Sequence, residues 1–260
     1  MEATKPNKPL RSPPAWLLAL GKSALPSSIL VRGTEYGHVQ TFKHDFFAAT
    51  GLYEGPAGRV VLKVGRRSSL FGLPMDWVGG LLMRHEARMY RLTQSIAGVP
   101  RLVGTWGTTG LVHEYIEGRP LSKSLAVDDA FFPRLSSMLD AMHARSAAYV
   151  DLEKPENILL GKDGAPYLFD FQISWHVPRN RGGDTWPCRM ILDVLRASDR
   201  YHLFKHWRRM RPDQLPGAGE GRAPVWIRWH RAVFRPLTLL RRQILVWMGT
   251  RSSVKVRSPG

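Results

Sequence analysis

One cysteine, Cys188, stands in 260 residues. It cannot build an internal disulfide or a cysteine-based metal cluster, and so little cysteine fits a reducing compartment. The nine histidines fall without ligand-type spacing. No stretch approaches the ~18 uninterrupted apolar residues of a membrane-spanning helix. The run WLLAL at 16–20 meets Lys22 almost at once and is shorter than a signal-peptide core. Residues 1–28 are therefore read as an irregular, Pro-rich leader with one docking turn. Acidic residues are scarce as well: 21 Asp and Glu face 38 Lys and Arg, for a net charge of +17. Such an excess points to an anionic partner and leaves nucleic acid, a phospholipid surface and phosphorylated substrates open.

What is present is enough for a globular core: 43% hydrophobic and 10% aromatic residues. Short β-branched runs broken by Gly and Pro predict strands over 29–64. Leu82, His85, Met89, Leu92 and Ile96 recur at helical spacing and predict a helix over 77–96, ended by Gly98-Val99-Pro100. Strands are expected at 101–105 and 111–115 around TWGTTG. A second helix is expected over 130–144, with Phe132, Leu135, Leu139 and Met142 on one face. A basic helix is expected over 192–210. The order gives an α+β chain, β-rich first and helical second.

The stretch YVDLEKPENILLGKDGAPYLFDFQ, residues 149–172, places polar groups at the ends of two apolar runs. Asp163-Gly164 between them is a hairpin signal. A hairpin would hold Asp151, Asn157 and Asp170 in fixed relation. Metal-assisted phosphoryl transfer needs such a set: oxygen ligands for Mg²⁺, a carboxylate for the attacking hydroxyl, and a cation on the phosphates. The alternative is a hairpin with ordinary turn-capping residues.

These residues resemble the catalytic core of the protein kinase-like fold, H-R-D-x-x-x-x-N followed by D-F-G. The resemblance makes Asp151 the residue that orients the acceptor, and Asn157 and Asp170 the metal ligands. Val60-Val61-Leu62-Lys63 is similar to V-A-I-K, which assigns Lys63 to the nucleotide phosphates and Glu86 to pairing with it. LVHEYIEG at 111–118 resembles the hinge, so Glu114 and Ile116 would meet adenine through their backbone. Lys154 in the catalytic loop would touch the transferred phosphate or remain solvated. The match covers about residues 40–172 and is nearest the short bacterial atypical kinases of the RIO-type and lipopolysaccharide (Kdo)-kinase groups. It implies a two-lobed fold with a β-rich first lobe over 29–116 and a short helical second lobe over 117–221, binding ATP and Mg²⁺.

Several positions depart from the pattern. Tyr149-Val150 replaces His-Arg, one extra residue separates Asp151 from Asn157, and Gln172 replaces the glycine of D-F-G. The glycine-rich phosphate loop is missing: KHDFFAAT at 43–50 has no glycine, and Lys43 or His44 would compensate with charge. Tyr149 is read as packing and His143 as a structural hydrogen bonder. The segment 222–260 carries no acidic residue but holds Trp226, Trp229, Trp247 and nine Lys or Arg. It reads as a solvated face of the second lobe, as an interfacial segment on anionic lipid, or as a nucleic-acid contact. The expected activity is ATP-dependent transfer to a hydroxyl of a protein Ser/Thr or of a lipid-linked sugar, with a pseudokinase as the alternative. The expected place is cytoplasmic or peripheral on the inner membrane face.

Overall fold

Gly and turn residues divide the first part of the chain into strands that pair antiparallel throughout. A computed structural model describes residues 14–70 and 72–215. The first strands are β1 (Ser28–Val31), β2 (Thr34–His44), β3 (Ala48–Gly55) and β4 (Gly58–Gly65). Helix α1 (Asp76–Thr93) follows, then β5 (Leu102–Trp106) and β6 (Gly110–Glu114). The six strands form one sheet in the order β1-β2-β3-β4-β6-β5. Its two end strands return to each other, and a Cβ placed on Gly104 of β5 would lie 2.8 Å from Val31 Cγ1 of β1. The sheet therefore curls.

Period-2 alternation decides what each face of β4 carries. Val60, Leu62 and Val64 point into the curl, with Ile29, Val31, Tyr36, Tyr53 and Val112. Val61 and Lys63 take the opposite face, under α1. Both faces are covered, so the strand is buried from Val60 to Gly65. Helix α1 comes unusually close to the end of β4: a Cβ on Gly79 would fall 2.1 Å from the Arg66 carbonyl oxygen, a space only glycine leaves.

The second part contributes β7 (Gly118–Pro120), α2 (Phe131–Ala144), β8 (Ala147–Ala148), β9 (Ile158–Gly161), β10 (Pro166–Leu168), β11 (Trp175–His176) and α3 (Trp186–Met210). Strands β10, β9 and β7 form a small sheet, and β11 pairs with β8. The expected hairpin is there: Gly164 takes φ 76°, and the Ala165 N–H donates to Asp163 Oδ1 at 3.1 Å. The larger core joins Met83, Ala87 and Tyr90 of α1 to Phe131, Phe132, Leu135 and Met142 of α2, with Leu203 of α3. Each Phe, Leu or Met among them contributes about 1.5–3 kcal/mol by leaving water.

Two expectations change in detail. The first helix stops at Thr93 rather than 96. The third starts at Trp186 rather than 192, because Pro187 sits in its first turn, where a missing N–H costs nothing. The described part of the leader forms a 3₁₀ turn at Ala15–Leu17 that docks on the sheet. Residues 1–13 and the basic segment 222–260 lie outside the described residues. Among the described residues no helix is long and apolar enough to cross a membrane.

Candidate functional site

Lys63 points from β4 at two carboxylates. Its Nζ lies 2.8 Å from Glu86 Oε2 on α1 and 2.6 Å from Asp170 Oδ1 just after β10. Lys63 and Glu86 are buried, at 8% and 1% exposure. Burial opposes the ammonium, yet Glu86 and Asp170 together hold its pKa well above the ordinary lysine value. Burial also lifts Glu86, to about 6, although Lys63 pulls the other way. For Asp170 burial is again the largest effect, but the Lys63 charge and hydrogen bond, with Lys154 and Lys43 farther off, carry it below the usual carboxylate range. Asp170 has φ 63°, a left-handed conformation that Asp tolerates.

In the second part of the chain, Asp151 Oδ2 accepts from Lys154 Nζ at 2.6 Å and from Asn157 Nδ2 at 2.9 Å. The extra residue between Asp151 and Asn157 does not part them. A 3₁₀ turn at Pro155–Asn157 and the bond from Lys154 N to Asp151 O take up the added length. Among the described residues these bonds leave uncommitted the Oδ1 of Asp151, the Oδ1 of Asn157 and the Oδ2 of Asp170.

Helix α3 holds this loop from behind through a residue the sequence reading missed. Asp199 is fully buried, and its Oδ1 accepts the Val150 N–H at 2.8 Å. Its Oδ2 accepts the Tyr149 N–H at 2.8 Å and faces His143 Nε2 at 3.0 Å. Val150 has φ 74°, unusual for a β-branched residue, and it immediately precedes Asp151. The only sequence signal was an acid on the buried register of Leu192, Leu203 and His206.

Tyr149 is wholly buried and donates its hydroxyl to the Phe169 carbonyl. It begins a column of rings. Phe171 meets Tyr149 edge-on at 5.5 Å, Tyr90 meets Phe171 at 4.9 Å, and His113 of β6 stacks on Tyr90 at 5.2 Å. His113 pairs with Val61 in the sheet and so shares the Lys63 face. Burial pushes its pKa down to about 4, so the ring is neutral near pH 7. Its Nδ1 donates to the Glu114 carbonyl at 2.8 Å. That carbonyl, one of the two expected hinge groups, keeps a second lone pair. Ile116 N–H has no acceptor among the described residues. Phe42 of β2 stacks on Tyr115 at 6.2 Å, beside the hinge.

The loop expected to cover phosphates is the β2–β3 turn, Asp45–Phe47, and it is tied down. Phe47 and Ala48 N–H donate to Asp45 Oδ1, and Lys43 pairs with Asp45 Oδ2 at 2.7 Å. Ala19 N–H donates to the Asp45 carbonyl at 2.7 Å. His44 does not supply compensating charge. Its Nε2 accepts the Leu20 N–H at 3.1 Å, and burial lowers its pKa, so it is a neutral acceptor. Arg66, at the end of β4, is 2% exposed and gathers the neighbouring loops. It donates to the carbonyls of Phe46 at 3.0 Å, Trp16 at 2.7 Å and Ser69 at 3.3 Å, and stacks on the Phe46 ring at 4.1 Å.

The described residues offer no group of three or more His, Cys, Asp or Glu for a metal ion. They offer one carboxylate oxygen from Asp170 and one amide oxygen from Asn157. A hard, two-oxygen set suits Mg²⁺, which keeps several waters and takes its other ligands from phosphates.

Comparison with known proteins agrees with this architecture. No family model matches the chain. It is 30% identical over 152 residues to the cAMP-dependent protein kinase type 3 of Saccharomyces cerevisiae, over 52% of this chain and 38% of that protein. The chain thus spans well under half the length of this curated relative. Among solved structures it is similar to the Rio2 kinase of Chaetomium thermophilum, crystallised as an ADP/Mg²⁺-phosphoaspartate complex. The TM-score is 0.50 at 12% identity, covering 73% of this chain and 58% of that one. The chain has the protein kinase-like fold.

Proposed function

We propose that this protein is a Mg-ATP-dependent phosphotransferase that moves the γ-phosphoryl group of ATP to a hydroxyl, with protein Ser/Thr as the first acceptor class. One observation carries this reading: Lys63 joins Glu86 and Asp170, Asp151 joins Asn157 and Lys154, and the Lys154 charge lies near enough to act on Asp170. Asn157 Oδ1 and Asp170 Oδ2 would hold Mg²⁺, which supplies neutralising charge to the phosphate oxygens. Lys63, fixed by Glu86, lies against the phosphates. Asp151 Oδ1 accepts the acceptor's proton as the new O–P bond forms and the bond to the leaving ADP oxygen breaks. Lys154 keeps the Asp151 carboxylate in place and adds a positive charge beside the transferred group. Glu114 carbonyl and Ile116 N–H offer the donor–acceptor pair that an adenine edge needs.

The net charge of +17 supports a second acceptor class, a lipid-linked sugar at an anionic membrane surface on the cytoplasmic side, approached through the basic segment 222–260. Nucleic acid fits less well with a segment that also carries several Trp and Leu. The tied-down β2–β3 turn favours a weak or inactive kinase that still binds ATP. The test is transfer of labelled γ-phosphate by the full chain with Mg²⁺, beside an Asp170→Ala control. Transfer by the parent and none by the control supports the enzyme. No turnover with any acceptor, but retained Mg-ATP binding, supports the pseudokinase.

A further inference from the structure

The face of α1 turned away from Glu86 has its own composition. Trp77 and Leu81 are 61% and 51% exposed, and Arg84, Arg88 and Arg91 continue the same stripe, all exposed. Among the described residues none of these three arginines has a carboxylate partner. Asp76 in the first turn is the only other acid on the helix. The N-terminal end of α1 meets the junction made by Arg66 through Gly79 on its inner face. Its bonds to Trp16, Phe46 and Ser69 collect three loops at one end of the sheet. Those loops expose Trp16 at 42%, Phe47 at 45% and Leu73 at 67%. Five large apolar side chains therefore stand on the elements gathered at this end of the first lobe, followed along α1 by three arginines with no carboxylate partner among the described residues. Soluble surfaces expose such residues singly, and clusters of them mark contact sites.

We propose that this end of the lobe docks on an anionic lipid surface. Trp16, Phe47, Leu73, Trp77 and Leu81 enter the headgroup region, and Arg84, Arg88 and Arg91 pair with lipid phosphates. The occupant follows from the combination. Arginines alone would suit any polyanion, but nucleic-acid faces are polar, whereas Trp and Leu beside Arg match the boundary between headgroups and acyl chains. This surface is separate from the basic segment 222–260 and does not depend on the phosphotransferase reading. It places against the membrane the helix whose inner face holds Glu86.

The test is cosedimentation of the full chain with vesicles of mixed phosphatidylglycerol and phosphatidylcholine, beside pure phosphatidylcholine. The parent is expected to sediment with the anionic vesicles and poorly with the neutral ones. Arg84→Gln/Arg88→Gln/Arg91→Gln should lower the partition coefficient roughly 100-fold, at about fivefold per arginine, and flatten its salt dependence. Trp77→Arg separates insertion from charge. It should weaken partition although it adds a cation; a purely electrostatic or nucleic-acid face would bind more tightly. All four replaced positions are exposed, and an unchanged melting transition checks the fold of each variant. The proposal is overturned if the parent ignores anionic vesicles, if the triple variant sediments like the parent, if Trp77→Arg binds more strongly, or if RNA displaces the protein from lipid at equal charge.

Discussion

Asp199→Asn is the most informative single change. The wholly buried carboxylate accepts two main-chain N–H groups and faces His143. An amide can keep Tyr149 and His143 on its oxygen, but its NH₂ then opposes the Val150 N–H. One buried donor loses its acceptor, at about 1–3 kcal/mol, and the surviving bonds lose their charge assistance. Val150 at φ 74° stores a further ~1–3 kcal/mol of strain that the lost bond helped to hold. The expected destabilisation is about 2–4 kcal/mol. In urea the midpoint should fall by roughly 1 M with an unchanged slope. Val150→Gly removes the steric objection to positive φ. If Asp199 acts by holding that conformation, its loss should cost less in the Val150→Gly background, and a double-mutant cycle measures the coupling. The same release displaces Asp151, so turnover should fall far more than ATP affinity. An Asp199→Asn protein with the parent's midpoint, or a cycle with no coupling, would refute the reasoning.

Asp151→Asn should abolish the proposed transfer and leave ATP affinity near the parent's by calorimetry, because the proposed nucleotide and metal contacts lie on Lys63, Asn157 and Asp170. Mg-ATP at about 100 times its dissociation constant should stabilise the parent by about 2.7 kcal/mol, and Asp170→Ala should lose most of that shift in a melting experiment. Glu86, with a folded pKa of about 6 above its ordinary 4.5, binds its proton more readily when folded. Its contribution to stability therefore falls as pH rises between about 4.5 and 6. The proposed transfer should run the opposite way, because protonated Glu86 releases Lys63: its rate should drop below about pH 6, and Glu86→Gln should be slow throughout with no inflection there. Gly79→Ala should force α1 from the Arg66 carbonyl and cost about 1–3 kcal/mol in thermal unfolding, with a further loss of turnover through Glu86.

Much of the site was legible because its residues sit at fixed offsets within local patterns. Lys63 ends a β-branched run, and Asp151, Asn157 and Asp170 bracket a hairpin whose turn chemistry is written in Asp163-Gly164. The extra residue between Asp151 and Asn157 departs from the pattern, and a single 3₁₀ turn absorbs it. The misses share another cause. Asp199 acts on Tyr149 and Val150 from a helix about fifty positions later, and nothing near it in sequence hints at the strained backbone it holds. His44 was assigned a charge because the Leu20 N–H that neutralises its role comes from the leader. Strands β7, β8 and β11, two or three residues each, exist only through their partners and carry no periodicity of their own. The early start of α3 depended on Pro187 being harmless in a first turn, a choice that packing makes and composition does not.

The Arg66 junction has a consequence for how this end of the molecule can change. A buried guanidinium usually answers a carboxylate, and then two side chains must be kept together. Here every acceptor is a main-chain carbonyl, which any residue supplies. The side chains at positions 16, 46 and 69 are thus not read by the hydrogen bonds that join their loops; only the Phe46 ring, under the guanidinium, adds a preference. Substitution at the loop tips can alter what they touch outside the protein without undoing the knot inside it. A single retained cation would let the rim of the lobe explore new surfaces while the floor beneath it, with Lys63 three residues upstream, stays in place.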